Sequence, residues 1–595
     1  MTSTSEMNGL LQLSKANIEN NKLENTKVLK LVADKETLKR AYHVIKSKPG
    51  NMTAGIDNKT LDRIKDQDFD KLSSDIGSGR FKFNPSRVVE IPKSNGKTRK
   101  LSVSSPRDKI VQQAIMFVLQ AIFEPGFSDN SHGFRPGRSC HSALKQVHLT
   151  FQACNWYVEL DIAKSFDTLD HKVIIALLQE RIKDQGFIDL IRKALNAGCI
   201  DLSGFKPTIL GAPQGSIISP ILCNIYLTLV DNWLERYIQE HNVGNRAKAN
   251  PVYTKLLRGH GNKTRAEQRR TSRFIRDNKI RSFISSDSFR RFRFVRYADD
   301  IIIGVWGSKE DCIYLKKDLE LYLNTIGLKM SQDKTLITNS TTSKALFLGT
   351  EIFNTRFRSR QTRKIVTKMN RVVTTNFPGR PQLKAPLDRI FKKLMVRGYC
   401  KANYKPTFVG RLLYLPELEI VSNFCSVARG ILNYYSFASN FTVLRHKVLY
   451  VLKYSCAMTL GNKLKLNPVK KVFSKFGFNL GLKDSNGTIR ERFKEDIVVP
   501  KDNRGFKTAT YNPLSVVEIN VSKSFKRTNA IFYGPCKICG TDRDIEVHHV
   551  RKLGGLDESK DYLTNLMIRI NRKQVPLCKK CHHIVHNGGY CGPKL

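Results

Sequence analysis

Acidic residues are scarce in this sequence relative to basic ones. Its 595 residues include 52 Asp and Glu against 101 Lys and Arg, a formal net charge of +49 at pH 7. Ordinary solubility needs a net charge of only about 2 to 8 for a small domain, so a merely solubilising basic surface is the weaker explanation. Because so large an excess repels itself unless a polyanion neutralises it, the composition indicates a nucleic-acid partner.

Long apolar runs are also missing. No run approaches the roughly 18 residues that a membrane-spanning helix needs, and the start, MTSTSEMNGLLQLSKANIENNK, lacks the layout of a secretory signal or an arginine-rich transit peptide. We therefore expect no membrane partner and no secretion, with the protein working in a bacterial cytoplasm or in the organelle, mitochondrion or chloroplast, that makes it. The 41% of hydrophobic residues argues against a wholly disordered chain.

The pattern of a disulfide framework is absent. Eight of the 13 cysteines are scattered singly, for example at Cys140, Cys154, Cys223 and Cys425, which is typical of a reducing compartment. The others crowd the last sixty residues, where CKIC at 536–539 and CKKC at 578–581 form two CxxC pairs. Four thiolates at Cys536, Cys539, Cys578 and Cys581 predict a structural Zn²⁺ site; a disulfide pair is the alternative.

The remaining pattern indicates a mixed α+β core. Residues 87–104 predict a β-hairpin with a basic tip, and a helix should follow from Pro106 to about Phe123. WYVEL predicts a buried strand that ends at Asp161, and two apolar runs flank Asp299 and Asp300. Helical stretches are expected near 171–183 and 218–240.

Three carboxylates meet at one site if the strands that carry Asp161 and the Asp299–Asp300 pair are neighbours. Such a cluster repels itself when ionised unless cations bind it. Two Mg²⁺ ions about 3.5 to 4 Å apart would supply that charge and clamp an in-line phosphoryl displacement. Taken alone, an Asp-Asp pair is more often a solvated turn.

A basic insertion separates these carboxylates. Residues 244–296 contain sixteen basic and three acidic residues, and we predict a nucleic-acid contact over a solvated charged helix. The basic residues are Arg246, Lys248, Lys255, Arg258, Lys263, Arg265, Arg269, Arg270, Arg273, Arg276, Lys279, Arg281, Arg290, Arg291, Arg293 and Arg296.

The order of several motifs resembles the palm of a reverse transcriptase: DIAKSFDTLDH at 161–171, GAPQGSIISPILCNIY at 211–226, RYADDIIIG at 296–304, GLKMSQDKT at 327–335 and FLGTEI at 347–352. Upstream, GNMTAGIDNKTLD, IPKSNGKTRKLSVSSPRDKIVQ and SHGFRPGRSCHSAL resemble the fingers of group II intron reverse transcriptases, in a mitochondrial-like lineage. RGILNYYSFASN and MTLGNKLK resemble that family's helical maturase and thumb region.

This resemblance implies roles for individual residues. Asp161 and Asp299 would hold two Mg²⁺ ions, with Asp300 a less direct third member. The positions matching the family's nucleotide-binding residues are Lys93, Arg99, Phe166, Gln214 and Lys334. The ring of Phe166 would lie under the incoming sugar and exclude a 2′-hydroxyl; ordinary core packing is its alternative role. Lys93 and Lys334 are also plausible surface lysines.

The C-terminal segment resembles an HNH endonuclease, on EVHHV at 546–550, Asn565 and HHIVH at 582–586. The resemblance implies that His548, His582 and His586 hold a divalent ion, Mg²⁺ or Mn²⁺. It makes His549 the general base, with Asn565, or alternatively Asn571, orienting its ring. His582 and His586 are four residues apart, so one helical face presents both. The competing reading is a zinc finger without hydrolytic activity.

The expected architecture is multidomain α+β: a right-hand polymerase with fingers and palm, an α-helical thumb and maturase domain, and a small zinc-bound ββα HNH nuclease. The expected boundaries are 1–35 for an N-terminal extension, 36–150 for the fingers, 151–360 for the palm with its insertion at 241–296, 361–480 for the thumb and maturase domain, 481–530 for a DNA-binding region or linker, and 531–595 for the nuclease.

The resemblance implies a protein that binds intron RNA, target DNA and dNTPs within an intron ribonucleoprotein. It would assist splicing as a maturase and insert the intron by target-primed reverse transcription. Two alternatives are a splicing-only maturase and a retron or diversity-generating reverse transcriptase, and the latter predicts neither a maturase region nor an HNH tail. The sequence leaves the oligomeric state and the host open.

Overall fold

The computed structural model describes most of the chain with gaps. The described residues are 7–46, 53–61, 64, 66–92, 98–201, 204–206, 210–244, 250–258, 264–278, 280, 289–354, 362–366, 372–376, 380–483, 489–491, 493, 505–509, 536–541, 545–549, 574–587, 589–590 and 592.

Helices occur from the first described segment to the last. In chain order they are α1 (Met7–Glu19), α2 (Val28–Ala33), α3 (Lys35–Lys46), α4 (Asp66–Gly77), α5 (Pro106–Phe123), α6 (Cys140–Thr150), α7 (His171–Arg181), α8 (Gln185–Leu195), α9 (Ser219–His241), α10 (Pro251–Leu257), α11 (Arg265–Asp277), α12 (Lys309–Thr325), α13 (Leu387–Val396), α14 (Glu417–Tyr434), α15 (Phe441–Leu464), α16 (Val469–Phe476) and α17 (Lys579–His586).

Strands alternate with these helices through the middle of the chain. They are β1 (Ser86–Pro92), β2 (Thr98–Val103), β3 (Trp156–Asp161), β4 (Cys199–Asp201), β5 (Gly204–Lys206), β6 (Arg291–Tyr297), β7 (Asp300–Trp306), β8 (Leu336–Asn339), β9 (Ala345–Phe347), β10 (Thr350–Phe353), β11 (Thr362–Val366), β12 (Val372–Asn376), β13 (Gln382–Lys384), β14 (Leu482–Lys483), β15 (Ile489–Glu491), β16 (Ile545–His549) and β17 (Gln574–Cys578).

A central four-stranded sheet has the order β6-β7-β3-β8, with every neighbour antiparallel. Its strands are rich in the β-branched and aromatic residues that pack well on a pleated surface, and five consecutive residues of β7 are buried. Helices cover the sheet, because α9, α12 and α5 bury their apolar faces in the same core. This sheet positions the residues near Asp161 and Asp299.

A second sheet, with the order β2-β1-β4-β5, contains the hairpin expected at 87–104. The prediction of a hairpin is confirmed, and so is the helix that follows it, since α5 runs from Pro106 to Phe123. Proline suits the first helical position because its missing N–H has no helical partner there. The basic tip of the hairpin, including Lys93, lies outside the described residues.

The basic insertion leaves the sheet between α9 and β6 and contains α10 and α11. An antiparallel bridge between Val243 and Arg290 closes its base. Two of the sixteen basic residues are not available for the predicted nucleic-acid contact. Arg296 is fully buried against Asp231, and Arg290 pairs with Asp311 at 2.8 Å. A side chain that already neutralises a buried or half-buried carboxylate is not available to a phosphate.

The helices from α13 to α16 enclose a core of their own that starts at Ala385 and ends at Phe493. A small sheet of order β13-β10-β9 packs its apolar residues against α6 and the central sheet. Beyond Phe493, most of the expected linker at 481–530 lies outside the described residues. None of the helices that the structure describes has the length and apolarity needed to cross a membrane.

The last described segments form a ββα unit. Strands β16 and β17 are antiparallel, and α17 follows β17 directly. Its small core contains three of the four CxxC cysteines, Cys536, Cys578 and Cys581, together with Val575 and Leu577. A core of this size needs an additional constraint such as a metal to be stable.

Candidate functional site

A two-residue turn joins β6 to β7 and carries Asp299. Tyr297 pairs with Asp300 at the end of the hairpin, which leaves Ala298 and Asp299 at its tip. Ala298 has a φ of 55°. Hairpin turns of two residues favour positive φ because their twist then matches that of the strands. Ala298 adopts this conformation although it is not a glycine.

The end of β3 lies beside this turn. Asp161 is the direct antiparallel partner of Asp300, and opposed residues in such a ladder have Cα atoms about 4.5 to 5.5 Å apart. The Oγ atom of Ser165 lies 3.5 Å from Asp299 Oδ2. The structure therefore brings together Asp161, Asp299 and Asp300, although nearly 140 residues separate them along the chain.

Lys334, from the segment before β8, lies beside these carboxylates. Its Nζ atom lies 2.7 Å from Asp161 Oδ2. The segment before it runs along the chain that follows Asp161, because Ser331 N donates to Asp161 O at 2.8 Å and Ala163 N donates to Lys329 O at 2.8 Å. Hydrogen bonding to Asp161 raises the pKa of Lys334, so the ammonium stays charged.

Burial and mutual repulsion both disfavour ionisation of the paired aspartates. Burial raises the pKa of the Asp300 carboxyl to about 6, and the charges of Asp299 and Asp161 act in the same direction. Burial also raises the pKa of Asp299, with the charge of Asp161 contributing. Carboxylates held together against this cost are typical of a site that binds a cation.

The donor set fits Mg²⁺ in kind. It consists of carboxylate oxygens, the ligands that this hard cation prefers, with Ser165 at its edge. Asp161 already pairs with the positive charge of Lys334. The three aspartates do not gather their oxygens within 4.8 Å of one another, as expected for like charges.

Phe166 and Gln214 lie on two segments that contact each other. Phe166 lies in a short 3₁₀ turn after β3, and its carbonyl accepts a hydrogen bond from Ala212 N at 2.7 Å. Gly211 has a φ of 86°, and a Cβ there would lie 2.8 Å from the Phe166 oxygen. Gln214 Nε2 donates to Asp167 Oδ1 at 3.2 Å. The APQG turn therefore fixes the backbone of Phe166 and Asp167.

The β1–β2 hairpin is attached to the same turn. Ser102 N donates to Gln214 O at 2.6 Å, and a Cβ on Gly215 would lie 2.6 Å from Ser102 O. This close approach requires glycine, whose φ here is 110°. Arg99 is exposed on β2, three residues before Ser102. Its guanidinium is thus carried on a strand that touches the APQG turn.

In the C-terminal unit, the four CxxC cysteines converge. The Sγ atoms of Cys536, Cys539, Cys578 and Cys581 all lie within 4.8 Å of one another, and no other group of three or more Cys, His, Asp or Glu is as close among the described residues. Cys539 Sγ lies 3.6 Å from Cys578 Sγ. Tetrahedral Zn–S bonds of about 2.3 Å imply sulfur separations of about 3.8 Å, so the cluster fits one metal ion.

Within this cluster, backbone donors favour the thiolate form of Cys536, whereas burial and the neighbouring thiols raise the pKa of Cys581. Burial alone would raise the pKa of Cys536, but the N–H groups of Cys539 and Cys578 outweigh it and lower the pKa to about 6. A thiolate is the form that coordinates a metal. The prediction of two CxxC pairs meeting at one metal site is supported by this geometry.

The two helical histidines also meet. His582 and His586 present their Nε2 atoms 3.0 Å apart on one face of α17, and His582 is buried. His548 and His549 end β16, where they pair in register with Val575 and Gln574. The structure describes only the backbone of these two histidines. Asn565 and its alternative Asn571 lie outside the described residues.

Three family models match consecutive parts of the chain. A reverse transcriptase (RNA-dependent DNA polymerase) model matches residues 91–352, a type II intron maturase model matches 378–533, and an AI2M/AI1M-like HNH endonuclease model matches 536–582. The chain is 32% identical to the group II intron-encoded protein LtrA of Lactococcus lactis subsp. cremoris, over 92% of this chain and 93% of that protein. The chain belongs to the group II intron-encoded proteins.

Two yeast relatives are more similar still. The putative COX1/OXI3 intron 1 protein of Saccharomyces cerevisiae is 42% identical over 99% of this chain and 72% of that protein. The putative COX1/OXI3 intron 2 protein is 41% identical over 100% of this chain and 69% of that protein. This group II intron-encoded protein thus combines an RNA-directed DNA polymerase, a maturase and an HNH endonuclease. The maturase and HNH matches contradict the alternative of a retron or diversity-generating enzyme.

Several residues of the site escaped the sequence reasoning. Ser165 and Asp167 lie inside a quoted motif, but only the structure shows that they contact Asp299 and Gln214. The exposed ring of Phe134 lies edge-on to Phe166, with centroids 6.1 Å apart. The GFRPG motif at 133–137 is visible in the sequence, but no local pattern connects it to Phe166.

Proposed function

We propose that this group II intron-encoded protein polymerises DNA at the site formed by Asp161, Asp299 and Asp300. Asp161 and Asp299 would hold two Mg²⁺ ions, and Asp300 would act less directly through its charge. When bound, such ions supply the charge that stabilises an in-line phosphoryl displacement. The observation that carries the proposal is the direct pairing of Asp161 with Asp300 beside the Asp299 turn.

The residues around this cluster would bind the incoming dNTP. Arg99 and Lys334 would pair with triphosphate oxygens. Hydrogen bonds between such charged groups are stronger than those between neutral groups. The amide of Gln214 would orient the nucleotide, and the Phe166 ring would exclude a 2′-hydroxyl. Lys93, outside the described residues, would add a further cation from the hairpin tip.

We assign the sheets and helices to a right-hand arrangement. The β2-β1-β4-β5 sheet would belong to the fingers, at 36–150 with a later contribution. The β6-β7-β3-β8 sheet would form the palm within 151–360. The helical core from Ala385 to Phe493 would form the thumb and maturase region. The segments 1–35 and 481–530 would serve as N-terminal extension and DNA-binding linker.

Intron RNA would bind partly through α11 in the insertion. Arg265, Arg269, Arg270 and Arg273 are exposed on this helix, and none of its residues for which the structure describes burial is buried. A helix that is polar on nearly all sides gains little stability from packing against a core. Pairing of its arginines with RNA phosphates would stabilise α11 instead. The seven residues of β6 span about 20 Å at roughly 3.3 Å each, which separates the insertion's base from the catalytic turn.

The C-terminal unit would cut one strand of the target DNA. The four cysteines would hold a structural Zn²⁺, and His548, His582 and His586 would hold a Mg²⁺ or Mn²⁺ ion. His549 would take a proton from water, with Asn565 orienting its ring. Cleavage would expose a 3′-hydroxyl from which the polymerase copies the intron, within a ribonucleoprotein in a bacterial cytoplasm or an organelle.

The decisive experiment compares Asp299→Ala with the wild-type chain. The variant should lose all cDNA synthesis on an RNA template, yet it should still bind intron RNA and promote splicing. Asp189→Ala is a matched control, since Asp189 is a half-exposed aspartate that pairs with Gln185 and Arg192 of its own helix, and it should polymerise normally. Retained cDNA synthesis by Asp299→Ala would remove the metal assignment. A wild-type protein that splices without any cDNA synthesis would favour the splicing-only alternative.

A further inference from the structure

Arg296 is a fully buried arginine two residues before the tip of the catalytic turn. Its Nε and Nη2 atoms donate to Asp231 Oδ1 and Oδ2 at 2.7 and 2.6 Å, and both side chains have no exposed surface. Removing two charges from water costs several kcal/mol per ion, and an apolar pair of similar volume avoids that cost. A stabilising role alone therefore explains this ion pair poorly.

The third nitrogen of Arg296 reaches the turn itself. Nη1 donates to Ala298 O at 3.1 Å and to Asn224 Oδ1 at 3.2 Å. Asp231 and Asn224 both lie on α9. The guanidinium thus connects a long, well-buried helix to the carbonyl of the residue that precedes Asp299.

A second segment closes on the turn from the other side. Asn224 Nδ2 donates to Gly133 O at 2.8 Å, and a Cβ on Gly133 would lie 2.2 Å from Ala298 N. The backbone next to Gly133 pairs with Arg296, because Arg296 N donates to Asn130 O and His132 N donates to Arg296 O. Ala298 is therefore held between Gly133 and the Arg296 guanidinium.

We propose that Arg296, Asp231 and Asn224 are positioning residues for polymerisation. By holding the Ala298 carbonyl, they keep the turn in its left-handed shape and keep the Asp299 carboxylate at the metal site. The inference rests on the proposed role of Asp299. Asp231 serves to orient the guanidinium and to neutralise it, and Asn224 passes the constraint to Gly133.

The hydrogen bond can sustain this conformation. A left-handed backbone is unfavourable at a non-glycine residue, and hydrogen bonds from a charged donor are among the stronger ones in proteins. Without the hydrogen bond to its carbonyl, the Ala298 peptide would lower its free energy by rotating out of the left-handed conformation. That rotation would move Asp299 relative to Asp161 and Asp300.

The test removes the charges as a pair so that no buried ion is left alone. The variant Arg296→Met with Asp231→Leu should fold, because both positions stay filled by apolar groups. Its kcat for dNTP addition on an RNA template should fall at least tenfold, and the Mg²⁺ concentration for half-maximal rate should rise several-fold. The KM for dNTP at saturating Mg²⁺ should stay within about twofold, because other residues bind the nucleotide.

Arg296→Lys tests the same inference if the double variant fails to fold. Lysine keeps the positive charge beside Asp231 but lacks the planar fork that reaches Ala298 O at the same time. It should shift kcat and the Mg²⁺ requirement in the same direction, by a smaller factor. Arg290→Met is the matched control, since Arg290 pairs with Asp311 at the opposite end of β6, and it should leave both quantities unchanged.

Wild-type kcat and Mg²⁺ dependence in the folded double variant would overturn the inference. Wild-type values of both quantities in Arg296→Lys would overturn it as well. Intron RNA binding and DNA cleavage by the same preparations report whether the rest of the chain is intact. Failure of the proposed function is seen separately. In that case Asp299→Ala itself retains cDNA synthesis, whatever the Arg296 variants do.

Discussion

The Nζ atom of Lys334 lies 2.7 Å from Asp161 Oδ2, where it occupies one oxygen of a carboxylate that we assign to Mg²⁺. This side chain is 67% exposed, so it has room to move when a cation takes its place. A lysine that exchanges between a metal-binding aspartate and a triphosphate would connect nucleotide binding to metal binding.

The exchange predicts a specific kinetic phenotype for Lys334→Gln. The KM for dNTP should rise by about tenfold or more, because a hydrogen bond to a charged group contributes about 1.5 to 3 kcal/mol. The half-saturating Mg²⁺ concentration should not rise, since nothing then competes for Asp161. Lys344→Gln, which removes a lysine paired with Glu351 on a neighbouring segment, should change neither value. An unaltered KM in Lys334→Gln would return Lys334 to the protein surface.

Phe166→Ala should relax sugar selection. We expect the preference for a deoxynucleotide over the matching ribonucleotide to fall by roughly 10- to 100-fold, the range for a steric contact of a few atoms. Incorporation of single nucleotides on a primer and template measures the ratio. Phe274→Ala, at an exposed ring of α11, should keep it. If selectivity persists without the Phe166 ring, that ring only packs against the core.

The cysteine cluster should control cleavage but leave polymerisation alone. The purified chain should contain about one zinc ion, measured by atomic emission. Cys539→Ser should lose this ion and DNA cleavage, since the small core around Cys536 and Cys578 depends on it. Cys199→Ser, a cysteine outside the cluster, is the control. Zinc content that is unchanged in Cys539→Ser would contradict the site.

The α11 surface should bind RNA without affecting catalysis. Replacing Arg269, Arg270 and Arg273 by Gln should reduce the slope of log affinity against log salt by about 2, at roughly 0.7 per lost single-strand phosphate contact. Polymerisation on a short primer and template should continue, because β6 separates the base of the insertion from the catalytic turn by about 20 Å. The same change at Lys309, Lys316 and Lys317 of α12 controls for total charge. Equal slopes in the two triple variants would argue against a dedicated RNA surface.

Asp108 should make stability depend on pH. Its side chain is 1% exposed, and burial raises its pKa to about 6. Because the folded pKa lies above the unfolded value of 3.8, the stability associated with the protonated form is complete below pH 3.8 and is lost as pH rises through 6. Asp108→Asn keeps an oxygen for the Asn84 N–H and should abolish that loss, by at most about 3 kcal/mol.

The tryptophans allow this effect to be measured, because Trp156 and Trp233 pack against the same core as α5, the helix that carries Asp108. Thermal unfolding followed by their fluorescence should show the variant gaining on the wild type between pH 4 and pH 6.5. Asp189→Asn, at a half-exposed side chain, should show no such gain. Parallel curves for wild type and Asp108→Asn would contradict the assignment.

Local structure and chemical composition could be predicted from the sequence. The hairpin at 87–104, the helix from Pro106 to Phe123 and the strand that ends at Asp161 all follow from patterns within a few residues, and the structure confirms them. The two CxxC pairs were equally clear, because thiolate pairs at that spacing have few uses. The net charge of the insertion also follows from the sequence, but the burial of Arg296 does not.

The sequence by itself determined which groups the protein possesses: carboxylates at strand ends, thiolates in pairs and a large excess of positive charge. These properties depend on residue type and on short-range periodicity. Only the tertiary structure decided which groups meet. Asp161 faces Asp300, Gly133 abuts Ala298, and Arg296 turns inward to Asp231 because strand pairing and core packing bring together residues that are far apart along the chain, and no local pattern records those distances.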